Sequence, residues 1–387
     1  MSSSEQGDVD VGRLLESLLR PSVRVGGRDV STFQITGVVG FLAATGVALG
    51  VGTHLGLPAG WLVALAAGAA LSFFLVAIVT LASLGVERLV FYRHELVVLA
   101  MVAVASWAAG RPALASLDVA TIALGVFLAW GRIGCAMVGC CHGRPFRFGL
   151  RYRDDHAAAG FAWWLVGVPL APVQMIESAL VALSTGLAAI WLWRGAPPGG
   201  VLARQLVSYA LLRFALEQVR GDVERPAWLG LFEAQWTALL VAVGVAVAEA
   251  AGALPWSPWH AAAAALLVGA GCVGVLRRRR ARLYTPSHVA ELARAVRDPH
   301  LDETAHVQLQ STSLGVNVSA STIPDAPDGP ALLYTLSGVA DGDARALASL
   351  IVLLRGQARA AERGEIVEGR GGLCHLLVRP AGAAGAA

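Results

Sequence analysis

Eight apolar stretches, most of them near the twenty or so residues a helix needs to cross a bilayer, decide what this chain can become. They run from Thr32 to Thr53, Trp61 to Leu84, His94 to Ala109, Leu117 to Val138, Pro172 to Trp193, Leu206 to Val219, Phe232 to Ala251 and Trp259 to Leu276. The third and sixth are short and carry polar side chains, so seven or eight spans are predicted. Barrel strands would alternate in and out over about ten residues. These runs are continuous, and with 56% hydrophobic and 15% charged residues overall they predict an all-α polytopic membrane helix bundle.

Outside the runs the composition changes. Residues 1–30 form a polar, arginine-bearing tail, with no short apolar core before a small-residue cleavage site, so no cleaved signal peptide is predicted. Residues 31–276 are the transmembrane domain. After Leu276 comes the basic run Arg277-Arg278-Arg279-Arg280-Ala281-Arg282, a membrane-stop cluster suited to anionic headgroups. Beyond it, Pro286 to Arg297 reads as a helix capped at Ser287. Val307 to Ser319 and Leu332 to Leu336 read as strands, Asp341 to Arg359 as a helix and Leu373 to Arg379 as a strand. Residues 283–380 are therefore expected to be a small soluble α+β domain, an interaction or regulatory module by default. Counting arginines across eight spans places both termini, this domain and the loop from Gly139 to Pro169 on the cytoplasmic side of a bacterial-type plasma membrane.

The chemistry is concentrated where the fourth run ends, in Gly131-Arg132-Ile133-Gly134-Cys135-Ala136-Met137-Val138-Gly139-Cys140-Cys141-His142-Gly143-Arg144-Pro145. An arginine near hydrocarbon depth costs about 2.5 to 3.5 kcal/mol on insertion scales, so it is expected to have an anionic partner or a wet cavity. Two more runs carry polar faces. Gln174 and Glu177 are three apart, and Tyr209, Arg213, Glu217 and Arg220 recur every three or four residues, opposite Leu211, Leu212 and Leu216. The bland account of that face is an Arg213–Glu217 pair that ties helices together. The functional account is a clamp in which Arg132, Arg213 and loop arginines such as Arg144 grip a phosphate, at this depth that of a phospholipid headgroup.

The loop from Phe146 to Pro169 carries the pair Trp163 and Trp164, which suggests contact with the membrane surface. Three readings stay open for the cysteines: small residues in packed helix ends, a metal site made of Cys135, Cys140, Cys141 and His142, or a reactive thiol favoured by Arg132 and Arg144.

Three ordered elements resemble the prolipoprotein diacylglyceryl transferase family over roughly residues 90 to 250. They are Gly131-Arg132-Ile133-Gly134 followed by Gly139 and Gly143-Arg144-Pro145; Pro172, Gln174 and Glu177; and Tyr209, Arg213, Phe214 and Glu217. Gln235 stands where the family has a glutamine opening its last span. The chain departs from the pattern at Cys135, at His94-Glu95-Leu96, at Ala171-Pro172, at Ile176 and at Gly139-Cys140-Cys141-His142.

The resemblance implies a plasma-membrane enzyme that moves diacylglyceryl from phosphatidylglycerol to the lipobox cysteine thiol of a preprolipoprotein and releases glycerol 1-phosphate. It also implies a central loop on the outer face, against the arginine count. In that scheme Arg132 and Arg213 hold the phosphate, Glu217 orients Arg213, and His94 is our choice for the base that deprotonates the thiol. Gly131, Gly134, Cys135, Gly143, Arg144, Gln174, Glu177, Tyr209 and Gln235 are the expected substrate-binding residues. No cofactor, no metal and no nucleic-acid partner are expected. The alternatives are a phospholipid-binding or sensing paralogue that signals through the C-terminal domain, and a Cys/His thiol or metal-handling membrane protein.

Overall fold

The computed structural model describes residues 16–84, 91–223, 225, 227–277, 282–297, 308–323, 331–338, 341–355, 363–368 and 373–379. Within these, eight helices form the bundle: α1 (Thr32–His54), α2 (Ala59–Leu84), α3 (Phe91–Ala108), α4 (Ala113–Val138), α6 (Val173–Trp193), α7 (Gly200–Leu216), α8 (Glu233–Ala250) and α9 (Pro258–Arg277). A short α5 (Asp154–Ala158) lies in the loop after α4. Among the described residues six helices are long and apolar enough to cross a membrane. The other two, α3 and α7, are the ones whose polar residues shortened their runs in the sequence; α3 packs against α2 and α4, and α7 against α4, α6, α8 and α9.

At the centre stands α4, packed against α1, α3, α6 and α7. Small residues permit these contacts. A Cβ on Gly134 would meet Thr36 Oγ1 of α1 at 2.2 Å, and one on Gly125 would meet Thr185 Oγ1 of α6 at the same distance. The buried Asp118 of α4 reaches across to the start of α7, where its carboxylate accepts from the backbone N–H groups of Gly199 at 2.7 Å and Leu202 at 2.8 Å. It thereby satisfies amides that the helix leaves unpaired, a cap delivered from 81 residues away in sequence.

Two regions differ from the sequence-based expectation. The polar tail ends in an antiparallel hairpin, β1 (Ser22–Val25) and β2 (Arg28–Ser31), whose Gly26 and Gly27 take φ of 57° and 82°. The loop after α4 is an ordered cap containing β3 (Pro145–Leu150) and α5. Backbone bonds stitch it to the bundle. Gly143 N–H donates to Ala171 O at 3.0 Å, Arg144 N–H to Val219 O at 2.9 Å and Gly221 N–H to His142 O at 2.9 Å. A side chain at Gly221 would strike the Gly143 carbonyl at 2.4 Å.

The C-terminal domain holds α10 (Pro286–Arg297), β6 (Gln308–Ser311), β7 (Asn317–Ile323), β8 (Ala331–Ser337), α11 (Asp341–Arg355), β9 (Arg363–Glu368) and β10 (Cys374–Arg379). Its antiparallel sheet has the order β6-β7-β8-β10-β9. The expected single strand over Val307 to Ser319 is instead the hairpin of β6 and β7, because Gly315 turns the chain at φ 78°. Helix α10 starts one residue before the expected cap; Val289 N–H bonds Thr285 O at 2.9 Å. The expected end of α11 beyond Arg355, and residues 278–281 of the basic run, lie outside the described residues.

One apolar core joins this domain to the loop cap: Leu292, Leu336, Leu347, Ile351 and Leu376 cluster with Leu150, Tyr152, Leu165, Val168, Leu170 and the N-terminal Leu19. Central loop, N-terminal segment and C-terminal domain therefore share one side of the bundle. Trp164, expected at the membrane surface, is covered by this contact, with the Arg294 guanidinium 4.0 Å over its ring; Trp163 is the exposed member of the pair.

Candidate functional site

Arg132 lies near the end of α4, Glu177 on the first turns of α6, and Tyr209 and Arg213 on α7. Glu217 follows directly after that helix. The four-and-four spacing of Tyr209, Arg213 and Glu217 turns one stripe of α7 toward α4 and α6. There Glu177 Oε2 lies 2.9 Å from Arg132 Nε and 3.5 Å from Arg213 Nη1, while Glu177 Oε1 accepts from the Tyr209 hydroxyl at 2.9 Å. Arg213 Nη2 stands 2.5 Å from Glu217 Oε1. Glu217 also takes Arg220 at 3.2 Å and pairs with Arg225, and Arg220 forks onto Asp222 at 2.9 and 2.8 Å.

The two predicted guanidinium groups thus converge, and they converge on a carboxylate. Arg132 Nε and Arg213 Nη1, although close to Glu177, make no hydrogen bond of good geometry and are buried from solvent. Buried donors without an aligned acceptor carry a free-energy penalty and mark places where a ligand oxygen is accommodated. The seam's ion pairs join four arginines, 132, 213, 220 and 225, to three carboxylates, 177, 217 and 222, and the carboxylate of Glu95 lines the adjoining cleft with Arg213. Burial works against the charge of Arg220, but Cys141, Asp222 and Glu217 together hold its pKa above the ordinary arginine value.

A lateral cleft of about 370 Å³, counting the space open to the outside, reaches the seam between α3, α7 and α8. Tyr92, Glu95 and Leu96 form one wall, and Tyr209 and Arg213 line the other together with Ala238. Leu96, Leu206, Ala210 and Ala234 make much of the lining apolar, and Arg213 brings a guanidinium to it. Arg93, next to Tyr92, is paired with Glu233 of α8. A second hollow, of about 280 Å³, lies between His142, Arg144 and Gly221 on the bundle side and Pro286, Val289 and Ala290 of α10.

The remaining predicted residues divide. Arg144 faces the second hollow, its Nε 3.5 Å from the Arg220 carbonyl, so it joins the outer end of the seam rather than closing on Arg132 and Arg213. Gly131 has open space where a Cβ would stand, whereas Gly134 and Gly143 are packing glycines; a Cβ on Gly143 would meet the Ala171 carbonyl at 2.5 Å. Gln174 donates to the Cys140 carbonyl at 2.7 Å and the Tyr152 hydroxyl at 3.3 Å. Gln235 accepts from Phe232 N–H at 3.0 Å and donates to Phe214 O at 3.4 Å. Both amides hold backbone in place. His94 is buried with its ring 4.3 Å from that of Phe73, which stands edge-on to Phe127 of α4.

Of the four residues in the metal alternative, the sulfurs of Cys135, Cys140 and Cys141 gather, all within 4.8 Å of one another. His142 instead has Nδ1 2.9 Å from the Gly143 carbonyl and its ring against Phe161, because the chain turns between the two residues. Burial pushes its pKa down. Reading the sequence also missed Asp222 and Arg225. Both lie beyond α7, where helical periodicity no longer reports direction; the signal on offer was the local alternation of charge from Glu217 to Arg225.

Comparison with known proteins agrees with the motifs. Residues 90–250 match the family model described as prolipoprotein diacylglyceryl transferase. A curated relative, phosphatidylglycerol--prolipoprotein diacylglyceryl transferase 2 of Clostridium perfringens (strain 13 / Type A), is 29% identical over 130 residues, which cover 33% of this chain and 48% of that protein. The chain thus spans about half the length of the curated relative it matches. Every element of the seam, from Arg132 to Arg225, falls inside the matched segment.

Proposed function

We propose that the chain transfers diacylglyceryl from phosphatidylglycerol to a cysteine thiol, with the lipobox cysteine of a preprolipoprotein as acceptor. The observation that carries this reading is the buried pair of unaligned guanidinium donors, Arg132 Nε and Arg213 Nη1, on either side of Glu177. A phospholipid entering between α3, α7 and α8 brings its phosphate to Arg213 on the cleft wall. Bonds from guanidinium to phosphate oxygens are charge-assisted and gain strength away from water.

The thiol sulfur attacks the glyceryl carbon that bears the phosphate ester. The C–O bond breaks, glycerol 1-phosphate leaves with the electron pair, and the thiol proton passes to a base. Charge grows on the departing phosphate, and fixed guanidinium groups stabilise that growth more than they stabilise the bound lipid. Glu177 and Glu217 hold both arginines in place before substrate arrives. His94 is the proposed base, an imidazole nitrogen being able to take up the thiol proton.

A second reading, lipid binding without transfer, draws on the C-terminal domain, whose apolar core is continuous with the loop that follows Arg132. Such a domain is well placed to report occupancy. The test is to incubate the purified full chain in lipid nanodiscs with glyceryl-labelled phosphatidylglycerol and a lipobox peptide. Label on the peptide thiol, lost in Arg132→Ala and Arg213→Ala, is the expected result. Lipid retained by the wild type with no label transferred would overturn the transferase reading in favour of the second.

A further inference from the structure

Three of the five cysteines meet where α4 ends. Cys135 is buried on the last turns of the helix. Gly139, at φ 85°, closes the helix with its N–H on the Cys135 carbonyl at 2.9 Å and reverses the chain. Cys141 then adopts φ 56°, a left-handed backbone that a residue with a Cβ seldom takes. Two neighbouring segments hold this turn. Gln174 of α6 donates to the Cys140 carbonyl at 2.7 Å, and Gly221 donates to the His142 carbonyl at 2.9 Å. Sulfurs from positions 135, 140 and 141 are thereby kept within 4.8 Å of one another. A role as packing residues accounts for the buried Cys135. It does not account for a strained Cys141 backbone or for the exposed Cys140, which opens the cluster to solvent.

We propose that Cys135, Cys140 and Cys141 form a three-sulfur site for a soft monovalent cation, Cu⁺. Three thiolates about 2.3 Å from a central ion in one plane stand about 4 Å apart, so closure from the observed spacing is a movement of less than about 1 Å. The donor set is sulfur alone, because among the described residues the ligand atoms that gather within 4.8 Å of one another here are those of the three cysteines. Sulfur-only sites select soft cations, and a fourth ligand of the kind structural zinc favours is not supplied by the gathered side chains.

Charge fits as well. Three thiolates around Cu⁺ carry two negative charges, and Arg132 lies one turn before Cys135 on the same helix, α4, with Arg220 paired to Glu217 in the adjoining seam. Two guanidinium groups beside such a complex offset its charge in a buried setting. The site does not depend on the transfer reaction proposed above, although it shares Arg132 with it.

The experiment titrates reduced, full-length protein in detergent under anaerobic conditions with Cu⁺ supplied as its bicinchoninate complex, and records X-ray absorption of the loaded sample. The expected result is one Cu⁺ withdrawn per chain, with sulfur scatterers only. Cys140→Ser and Cys141→Ser should each lower affinity at least about tenfold, since each removes one thiolate ligand. Cys272→Ser and Cys374→Ser should leave it unchanged. Equal uptake by Cys140→Ser and wild type, or nitrogen scatterers around the bound ion, would overturn the proposal. Because Cys140 is exposed, its serine variant is the one whose folding is least at risk. An unchanged thermal transition without copper confirms that its readout reports the site.

Discussion

The charged seam of the bundle and the core of the C-terminal domain are both buried, yet they are held by opposite means. In the seam, Arg132, Glu177, Arg213 and Glu217 come from three helices and the residue that follows them, and each group's position depends on the charge of the next. In the appended domain, Leu292, Leu336, Leu347, Ile351 and Leu376 are fully buried among apolar neighbours. Apolar burial is non-directional and roughly proportional to area, so damage there stays local. A buried ion network behaves otherwise. Taking one partner away leaves the others as uncompensated charges in a low-dielectric place, and the penalty spreads along the chain of pairs.

The largest expected effect follows from that contrast. Glu177→Ala should destabilise the bundle by about 3 to 5 kcal/mol, because Arg132 and Arg213 lose their shared carboxylate while remaining buried. The double variant Glu177→Ala/Arg213→Ala should recover part of that loss, and a thermal-shift double-mutant cycle in detergent measures the recovery. Strictly additive losses would mean that the seam is not a network. Next in size, Leu292→Ala in α10 should cost about 2 to 5 kcal/mol but only within the C-terminal domain and the loop cap that shares its core. Limited proteolysis should show residues 283–380 digested while the bundle keeps its transition; a concerted loss of both would dissolve the distinction. Asp118→Ala should cost about 1 to 2 kcal/mol, the usual range for a lost N-terminal cap. Hydrogen exchange confined to the first turn of α7 is the expected signature.

How much of this was legible before the structure differs in the same way. The helices of the bundle were readable because a bilayer imposes length and polarity on each run separately. The stripe Tyr209, Arg213, Glu217 was readable because a helix repeats every 3.6 residues. That Arg132 and Arg213 would meet was inferable from the cost of leaving either alone in hydrocarbon. That they would meet on Glu177 was not, since which helix lies beside α4 is set by contacts such as Gly125 against Thr185 and Gly134 against Thr36, far apart in sequence. Asp222 and Arg225 were missed for a related reason. They sit in irregular backbone, where no period tells which way a side chain points. The capping role of Asp118 was likewise hidden, its partners being 81 and 84 residues on. In the C-terminal domain local patterns gave strands and helices, but the hairpin of β6 and β7 turned on Gly315, a single residue inside what read as one continuous strand.

The smallest expected effect lies on the border between the two regions and shows which of them the loop cap belongs to. His156 of α5 is buried beside Tyr152, and burial pushes its pKa below the ordinary 6.5, against the pull of Asp155. The neutral ring is therefore the native form. As pH falls through 6.5 the unfolded segment takes up a proton that the folded one resists, so stability is present at higher pH and is lost on acidification. One proton limits the slope to less than about 1.4 kcal/mol per pH unit. Hydrogen exchange of residues 150–170 should accelerate between pH 7.5 and pH 5, and His156→Gln should flatten that dependence. Tyr152 and Leu165 share their core with Leu292 and Leu376, so the acceleration should extend into α10 and spare Arg132 and its partners. If the exchange of α4 and α7 rose in step instead, the loop cap would be an extension of the seam, and protonation at one histidine would loosen Arg132 and its partners.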